Sequence, residues 1–190
     1  MRNPIHQAQH RGHEPHHVIL FADICGFTEY TCTHGDEMAA RLALSFHDHA
    51  RRLAIRERCR VVKSIGDAVM VHSTHCLRAL SFAQGMLAWG EREGRPAVRI
   101  GLDAGAAIEH RGDWYGSTVN TAARVSESAS GGEILITERV RGLIAENAHL
   151  ETVGLGIKHL KGLPELRLHA AESGLHDTFG RGGAVRRQVA

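Results

Sequence analysis

The chain has 190 residues, of which 43% are hydrophobic and 23% charged, and its formal net charge is +2. This length and composition fit one soluble globular domain with a buried core, and they exclude the fibrous and disordered classes. The positive charge is small and scattered, so we expect no nucleic-acid partner.

The first 16 residues carry four histidines among polar residues and prolines. They predict a disordered, His-rich tail, and the irregular histidine spacing favours adventitious metal binding over a built site. This segment lacks the apolar stretch of a signal peptide, and no run approaches the length of a membrane span, so we expect a cytoplasmic protein with no membrane span. Four cysteines without paired metal-ligand spacing are predicted to be reduced, mostly buried thiols: Cys25, Cys32, Cys59 and Cys76.

A strand followed by a carboxylate opens the predicted domain. The apolar run Val18 to Ala22 is short enough for a buried strand, and Asp23 follows it. A glycine-containing turn then allows Asp23 and nearby backbone carbonyls, such as that of Ile24, to face one point. Such a point suits a hard cation, although a single strand-end Asp is more often a helix cap or turn former.

An amphipathic helix and a hairpin are predicted next. Gly35 and Asp36 mark a helix start, and apolar residues then recur at helical spacing to about Glu57. Two β-rich runs flank Gly66 and Asp67, which predicts a hairpin that presents Asp67 at a strand end. Two such carboxylates suit a pair of divalent ions for in-line displacement at phosphorus, while a plain hairpin turn is the better explanation for Asp67 taken alone.

Helices and strands alternate through the rest of the domain. Asp103 would lie on the outer face of a half-buried strand, in a solvated or structural role. The predicted segments are a helix over 77–93, a strand over 98–104, a polar connection over 111–117, a helix over 118–128, a strand over 133–137, a helix from Glu138 to Glu146, and a strand-like remainder to Ala170 interrupted by a loop over 154–165. This order predicts an α/β (α+β) sandwich with a ferredoxin-like mixed sheet covered by helices. The domain would span residues 17–170, followed by a flexible tail over 171–190.

A third candidate cluster lies in the predicted helix over 118–128. Asn120 and Arg124 are four residues apart, so they share a helix face and reach one ligand together. Arg suits phosphate charge and Asn a ribose or bridging oxygen, whereas an ordinary surface pair on an amphipathic helix is the alternative. Only three of the 23 basic residues are lysines, which marks each lysine as a candidate for a specific ligand contact: Lys63, Lys158 and Lys161.

Four motifs together carry a family resemblance: FADICGFT, KSIGDAVM, GDWYGSTVNTAAR and LKGLPE. In this order they resemble the catalytic domain of class III adenylate and guanylate cyclases, over roughly Val18 to Ala170. The resemblance implies the class III nucleotidyl cyclase fold. The short connection between Ala104 and Asp113 resembles the compact bacterial branch, which lacks an extended arm.

The resemblance also implies roles for individual residues. Asp23 and Asp67 match the aspartates that bind two Mg²⁺ or Mn²⁺ ions. We include Ile24 in the predicted metal site through its backbone carbonyl. Lys63 and Asp113 match the pair that reads adenine, where guanylate cyclases typically carry Glu and Cys. The other three matches are Asn120, which would orient the ribose, Arg124, which would stabilise charge on the phosphate, and, more weakly, Lys161 near the triphosphate.

These matches predict an adenylate cyclase that converts ATP to 3′,5′-cyclic AMP and diphosphate. In the resembled family the metal aspartates come from one subunit and the other site residues from its partner, so we expect a homodimer with shared active sites. A guanylate or relaxed purine nucleotidyl cyclase is the enzymatic alternative. A catalytically silent nucleotide-sensing or dimerisation module is the alternative from another class.

Overall fold

The computed structural model of the chain describes residues 17–145 and 150–171. The two predicted tails lie outside these residues, apart from Ala171, which ends the last strand. The described elements are β1 (His17–Ile24), α1 (Phe27–His34), α2 (Asp36–Glu57), β2 (Arg60–Ile65), β3 (Ala68–Ser73), α3 (Cys76–Gly90), β4 (Val98–Gly105), β5 (Ile108–His110), β6 (Asp113–Tyr115), α4 (Ser117–Ser128), β7 (Ile134–Thr137), α5 (Glu138–Ile144), β8 (Thr152–Lys158) and β9 (Leu166–Ala171).

Seven strands form one sheet in the order β2-β3-β1-β4-β7-β9-β8. Neighbouring strands are antiparallel except β4 and β7, which are parallel, so the predicted mixed sheet is confirmed. The first strand lies inside the sheet between β3 and β4, which explains its continuous apolar run. Its last residues therefore lie beside the β2–β3 turn.

Helices cover both faces of the sheet. The main core joins one face to α2, α3 and α5, and includes Leu20, Phe46, Phe82 and Val140. Helix α4 packs on β1 and β4 at the other face. There Gly101 permits a close approach, because an added Cβ would lie 2.0 Å from the Ser126 nitrogen. This contact fixes the helix that carries Asn120 and Arg124.

Three regions of the fold differ from the prediction because they bury few apolar side chains. Helix α1, where only a turn was predicted, has no buried residue and hence no core-facing apolar pattern. The predicted polar connection contains β6, which pairs with β5, and Ile108 and Tyr115 of this hairpin are exposed. Strand β8 occupies the first part of the loop predicted over 154–165, where a register irregularity separates Gly154 from Gly156.

Strand β4 is more buried than its alternating pattern predicted. The Asp103 side chain is inaccessible to solvent, and its Oδ1 accepts hydrogen bonds from Thr137 Oγ1 at 2.7 Å and Arg139 Nε at 3.1 Å. Of the two roles expected for Asp103, solvated or structural, the structure shows the structural one, on a buried and not an outer face. Helix α3 ends at Gly90 and not near Glu93.

The cysteine prediction was partly wrong. All four are free thiols, but only Cys76 is buried, whereas Cys25 and Cys59 are half-buried and Cys32 is exposed. Burial raises the pKa of the Cys76 thiol to about 11. Within residues 17–145 and 150–171, no helix is both long and apolar enough to cross a membrane.

Candidate active site

Asp23 and Asp67 lie beside each other at the end of the inner strands. Asp23 is the penultimate residue of β1 and faces Ala68 in the register with β3, and Asp67 directly precedes Ala68 in the β2–β3 turn. The Ile24 amide donates a hydrogen bond to the Asp67 carbonyl at 3.4 Å. Burial, followed by the negative charge of Asp23, raises the pKa of the Asp67 carboxyl. Two neighbouring carboxylates of this kind favour a bound cation.

The oxygen atoms at this position fit a hard divalent ion. The Ile24 side chain is buried in the core, so its backbone carbonyl is the group that it can offer to a cation. Among the described residues no group of three or more His, Cys, Asp or Glu side chains is arranged to hold a metal. Mg²⁺ is typically bound by one or two carboxylates together with water and substrate phosphates, and Asp23 with Asp67 match that type of site.

Arg99 is a site residue that the sequence analysis missed. It faces Asp23 across the β1–β4 register, and its Nε and Nη2 donate to Asp23 Oδ2 at 2.8 and 2.5 Å. Its Nη1 donates to the Glu127 carbonyl of α4 at 3.4 Å. Burial lowers the pKa of Arg99, but the hydrogen bonds and charge of Asp23 outweigh this and the pKa is raised. The predicted strand contained Arg99, yet no local pattern identified a partner 76 residues away.

Lys63 and Asp113 form a second polar pair. Lys63 Nζ donates to Asp113 Oδ2 at 2.6 Å, and the Trp114 amide donates to Asp113 Oδ1 at 2.8 Å. The hydrogen bond from Lys63 is the main cause that lowers the pKa of Asp113. Both side chains are partly exposed, at 39% for Lys63 and 26% for Asp113. A donor and an acceptor are therefore presented side by side to solvent.

Asn120, Arg124 and Lys161 line one cavity of about 350 Å³ between α4 and the loop before β9. The structure thus brings together three of the predicted site residues. Arg124 Nη1 donates to Glu127 Oε2 at 2.5 Å, and Glu127 also lines the cavity. The cavity offers two cationic side chains and an amide, a combination that suits phosphate and hydroxyl oxygens.

Comparison with known proteins identifies relatives of the chain. It is 30% identical to the pH-sensitive adenylate cyclase of Mycobacterium tuberculosis over 89% of its own length and 43% of the relative. It is 31% identical to an adenylate cyclase of Streptomyces griseus over 62% of its length and 30% of the relative. The chain thus spans less than half of either relative.

Solved structures share the fold. An adenylate cyclase structure from Trypanosoma brucei, described in its monomeric state, superposes with a TM-score of 0.77 at 22% identity, covering 87% of this chain and 92% of the other. The guanylate cyclase domain of RhGC from Catenaria anguillulae, solved with GTP, gives a TM-score of 0.73 at 22% identity, covering 83% and 96%.

The family profile described as the adenylate and guanylate cyclase catalytic domain matches residues 13–172. The match includes every described strand and helix and all the site residues above. The chain therefore belongs to the class III adenylate and guanylate cyclase catalytic domain family.

Proposed function

We propose that the chain is an adenylate cyclase that converts ATP to 3′,5′-cyclic AMP and diphosphate. The contact between Lys63 and Asp113 carries this proposal. Adenine offers an acceptor at N1 and a donor at its exocyclic amine, which a Lys donor and an Asp acceptor complement, whereas guanine presents the reverse pattern. The adenylate cyclase names of the two relatives in Mycobacterium tuberculosis and Streptomyces griseus support this choice.

Asp23 and Asp67, with the Ile24 carbonyl, would hold two Mg²⁺ or Mn²⁺ ions. When bound, such ions supply charge neutralisation and activation of the ribose 3′-hydroxyl for attack at the α-phosphorus. The chain contributes two adjacent carboxylates whose mutual repulsion is relieved on binding cations. Arg99 contacts Asp23, so its guanidinium offsets part of the negative charge of that carboxylate.

The cavity residues would act on the sugar and phosphates. Asn120 would orient the ribose through its amide, and Arg124 would stabilise negative charge that develops on the reacting phosphate. Reaching a phosphate requires Arg124 to exchange its contact with Glu127, an exposed pair that contributes little to stability. Lys161 adds a compact positive charge to the same cavity for the triphosphate.

We place the two halves of each site in different subunits of a symmetric homodimer. The arrangement within one chain supports this, since the residues that line the α4 cavity include neither Asp23 nor Asp67. In the dimer the carboxylate pair of one subunit would meet the α4 cavity and the Lys63–Asp113 pair of its partner. Each dimer would then have two equivalent sites.

A direct assay tests the proposed reaction. Purified protein is incubated with ATP or with GTP in the presence of Mn²⁺, and both cyclic nucleotides are quantified. We expect cyclic AMP as the main product, abolished by Asp67→Asn and retained by Asp48→Asn, a matched change at an exposed carboxylate on α2. Preferential formation of cyclic GMP would favour the guanylate cyclase. No product from either nucleotide, in a folded dimer that binds ATP, would favour the silent module.

A further inference from the structure

A second cavity, of about 400 Å³, lies between the end of β4 and helix α5, and we call it the β4–α5 cavity. Its lining includes the small or apolar residues Gly105, Gly142 and Leu143 and the polar residues Glu138 and Arg139. None of the candidate active-site residues lines it. Its volume falls in the range of about 300–1,000 Å³ that is typical of small-molecule binding sites.

Arg139 presents hydrogen-bond donors to this cavity. Its Nε and Nη2 donate to the buried carboxylate of Asp103, and these two bonds fix the orientation of the guanidinium group. Within the part of the chain that the structure describes, its Nη1 donates to no acceptor. A Cβ on Gly105 would lie 3.8 Å from this Nη1, so the missing side chain leaves the nitrogen accessible from the cavity. A fixed guanidinium edge of this kind suits a carboxylate oxygen.

Gly142 keeps the helical wall of the cavity open. A glycine inside a helix is less stable than alanine, because its backbone loses more conformational freedom on folding. Gly142 has no positive φ, and, apart from its chain neighbours and the backbone of its own helix, no atom of the described residues lies within 4 Å of a Cβ built there. Neither backbone conformation nor close packing therefore accounts for this glycine. The space that its missing side chain leaves is part of the cavity.

The second polar residue of the cavity, Glu138, already has partners. Its Oε2 is 2.6 Å from His169 Nε2, and its Oε1 accepts a hydrogen bond from Arg141 Nη1 at 3.2 Å. The group with hydrogen-bonding capacity left for a ligand is therefore the Arg139 guanidinium, which is a donor only. This favours a ligand that carries an acceptor, such as a carboxylate, over one that carries an amine.

We propose that the β4–α5 cavity binds a short-chain aliphatic monocarboxylate. The carboxylate accepts hydrogen bonds from Arg139 Nη1, and the hydrocarbon chain lies against Gly142 and Leu143. Leu143 is 43% exposed, so a bound chain removes apolar surface of both the ligand and the protein from water. The site does not depend on the proposed cyclase reaction, since the two cavities share no residue.

The test titrates the full chain with butyrate, pentanoate and hexanoate and measures each affinity by ligand-detected NMR. We expect saturable binding that tightens about fourfold with each added methylene, and hexanamide should bind about tenfold more weakly than hexanoate. Gly142→Leu, which fills the cavity, should abolish saturable binding. Arg139→Lys keeps a positive charge beside Asp103 but removes the guanidinium, and it should weaken binding about tenfold. Arg141→Leu places a leucine on the same helix outside the cavity and should leave the affinity unchanged.

The two cavity variants act on different walls, so each remains a test if the thermal midpoint shows that the other is misfolded. Hexanoate affinity within twofold of wild type in a folded Gly142→Leu or Arg139→Lys chain would overturn the proposal. So would equal affinities for hexanoate and hexanamide, or no saturable binding of any of the three acids. Loss of binding in Arg124→Ala, with binding retained in Gly142→Leu, would instead assign the carboxylate to the α4 cavity.

Discussion

Two aspartates of this domain meet an arginine in different surroundings. Asp103 is fully buried, and Arg139 and Thr137 both donate to it, so its charge is compensated inside the protein. Asp23 is 19% exposed and uses Oδ2 for Arg99 at the mouth of the candidate site. The first arrangement suits a structural role, whereas the second leaves a carboxylate accessible to a ligand.

The Lys63–Asp113 contact gives a test of the proposed preference for ATP over GTP. Lys63→Glu combined with Asp113→Cys should lower turnover of ATP relative to GTP, because the pair would then present the inverse hydrogen-bond pattern. The ratio of kcat/KM for the two nucleotides is the measurement. Lys158→Glu, an exposed lysine on β8, controls for loss of positive charge. An unchanged ratio in a folded double variant would mean that these two residues do not read the base.

The contact of α4 with β4 depends on one glycine. Gly101→Ala would place a methyl group 2.0 Å from the Ser126 nitrogen, and backbone atoms cannot rotate away as a side chain does. We expect the free energy of unfolding to fall by about 1–3 kcal/mol, as is typical of overpacking. Urea denaturation measures it.

Gly142→Ala is the matched control for this change. Apart from its chain neighbours and the backbone of its own helix, no atom of the described residues lies within 4 Å of a Cβ at that position in α5, and its φ is not positive. Alanine there should leave stability unchanged or raise it by about 0.5–1 kcal/mol, through the better helix propensity. Equal effects of the two substitutions would contradict the close packing of α4 on the sheet.

The start of α5 is tied to β9 by Glu138 and His169, whose Oε2 and Nε2 are 2.6 Å apart. The hydrogen bond with His169, followed by the charges of His169 and Arg141, lowers the pKa of Glu138 below its usual 4.5. A carboxyl whose pKa is lower in the folded state stabilises the protein above its unfolded pKa, and this stabilisation disappears as the pH falls through the folded value.

Thermal melts across pH test this contact. Wild type should have a higher thermal unfolding midpoint than Glu138→Gln at pH 7. This difference between the two midpoints should decrease below about pH 4.5. Glu37→Gln, at a largely exposed carboxylate on α2, controls for the general effect of acid. A difference between wild type and Glu138→Gln that is constant from pH 7 to acid would show that the contact does not titrate.

The proposed homodimer gives a prediction about how the site residues of two chains combine. Each chain carries both the carboxylate pair and the α4 residues, so a symmetric dimer would form two complete sites. Asp23→Ala and Asn120→Ala chains should each be inactive alone. Their heterodimer would have one site with both substitutions and one site with neither.

Mixing the two variants measures this directly. With free exchange, half of the dimers are mixed and each has one intact site, so activity should recover to about a quarter of wild type. Specific activity of wild type should also rise with protein concentration. No recovery despite demonstrated subunit exchange would place every site residue within a single chain.

The sequence alone determined the elements that have strong local patterns. The apolar run of β1, the helical periodicity of α2 and the Gly66–Asp67 turn each encode their structure within a few residues, and the mixed sheet follows from their order. The same local information identified Asp23, Asp67 and Asn120 as candidates, because each has a defined position within a short sequence motif. Their roles in the reaction stay predictions.

The tertiary structure alone decided which distant residues meet. Arg99 contacts Asp23 across 76 residues, and Asp103 meets Arg139 across 36, so neither pairing leaves a periodic signal in the sequence. The same holds for His17 and His72, which are 55 residues apart until β1 and β3 pair. Helix α1 and the β5–β6 hairpin were missed for a different reason, because elements that bury little apolar surface impose little pattern on their residues. The spacing of apolar residues in the sequence reflects which side chains are buried. The partners of a charged side chain, in contrast, are determined only when the sheet register brings distant strands together.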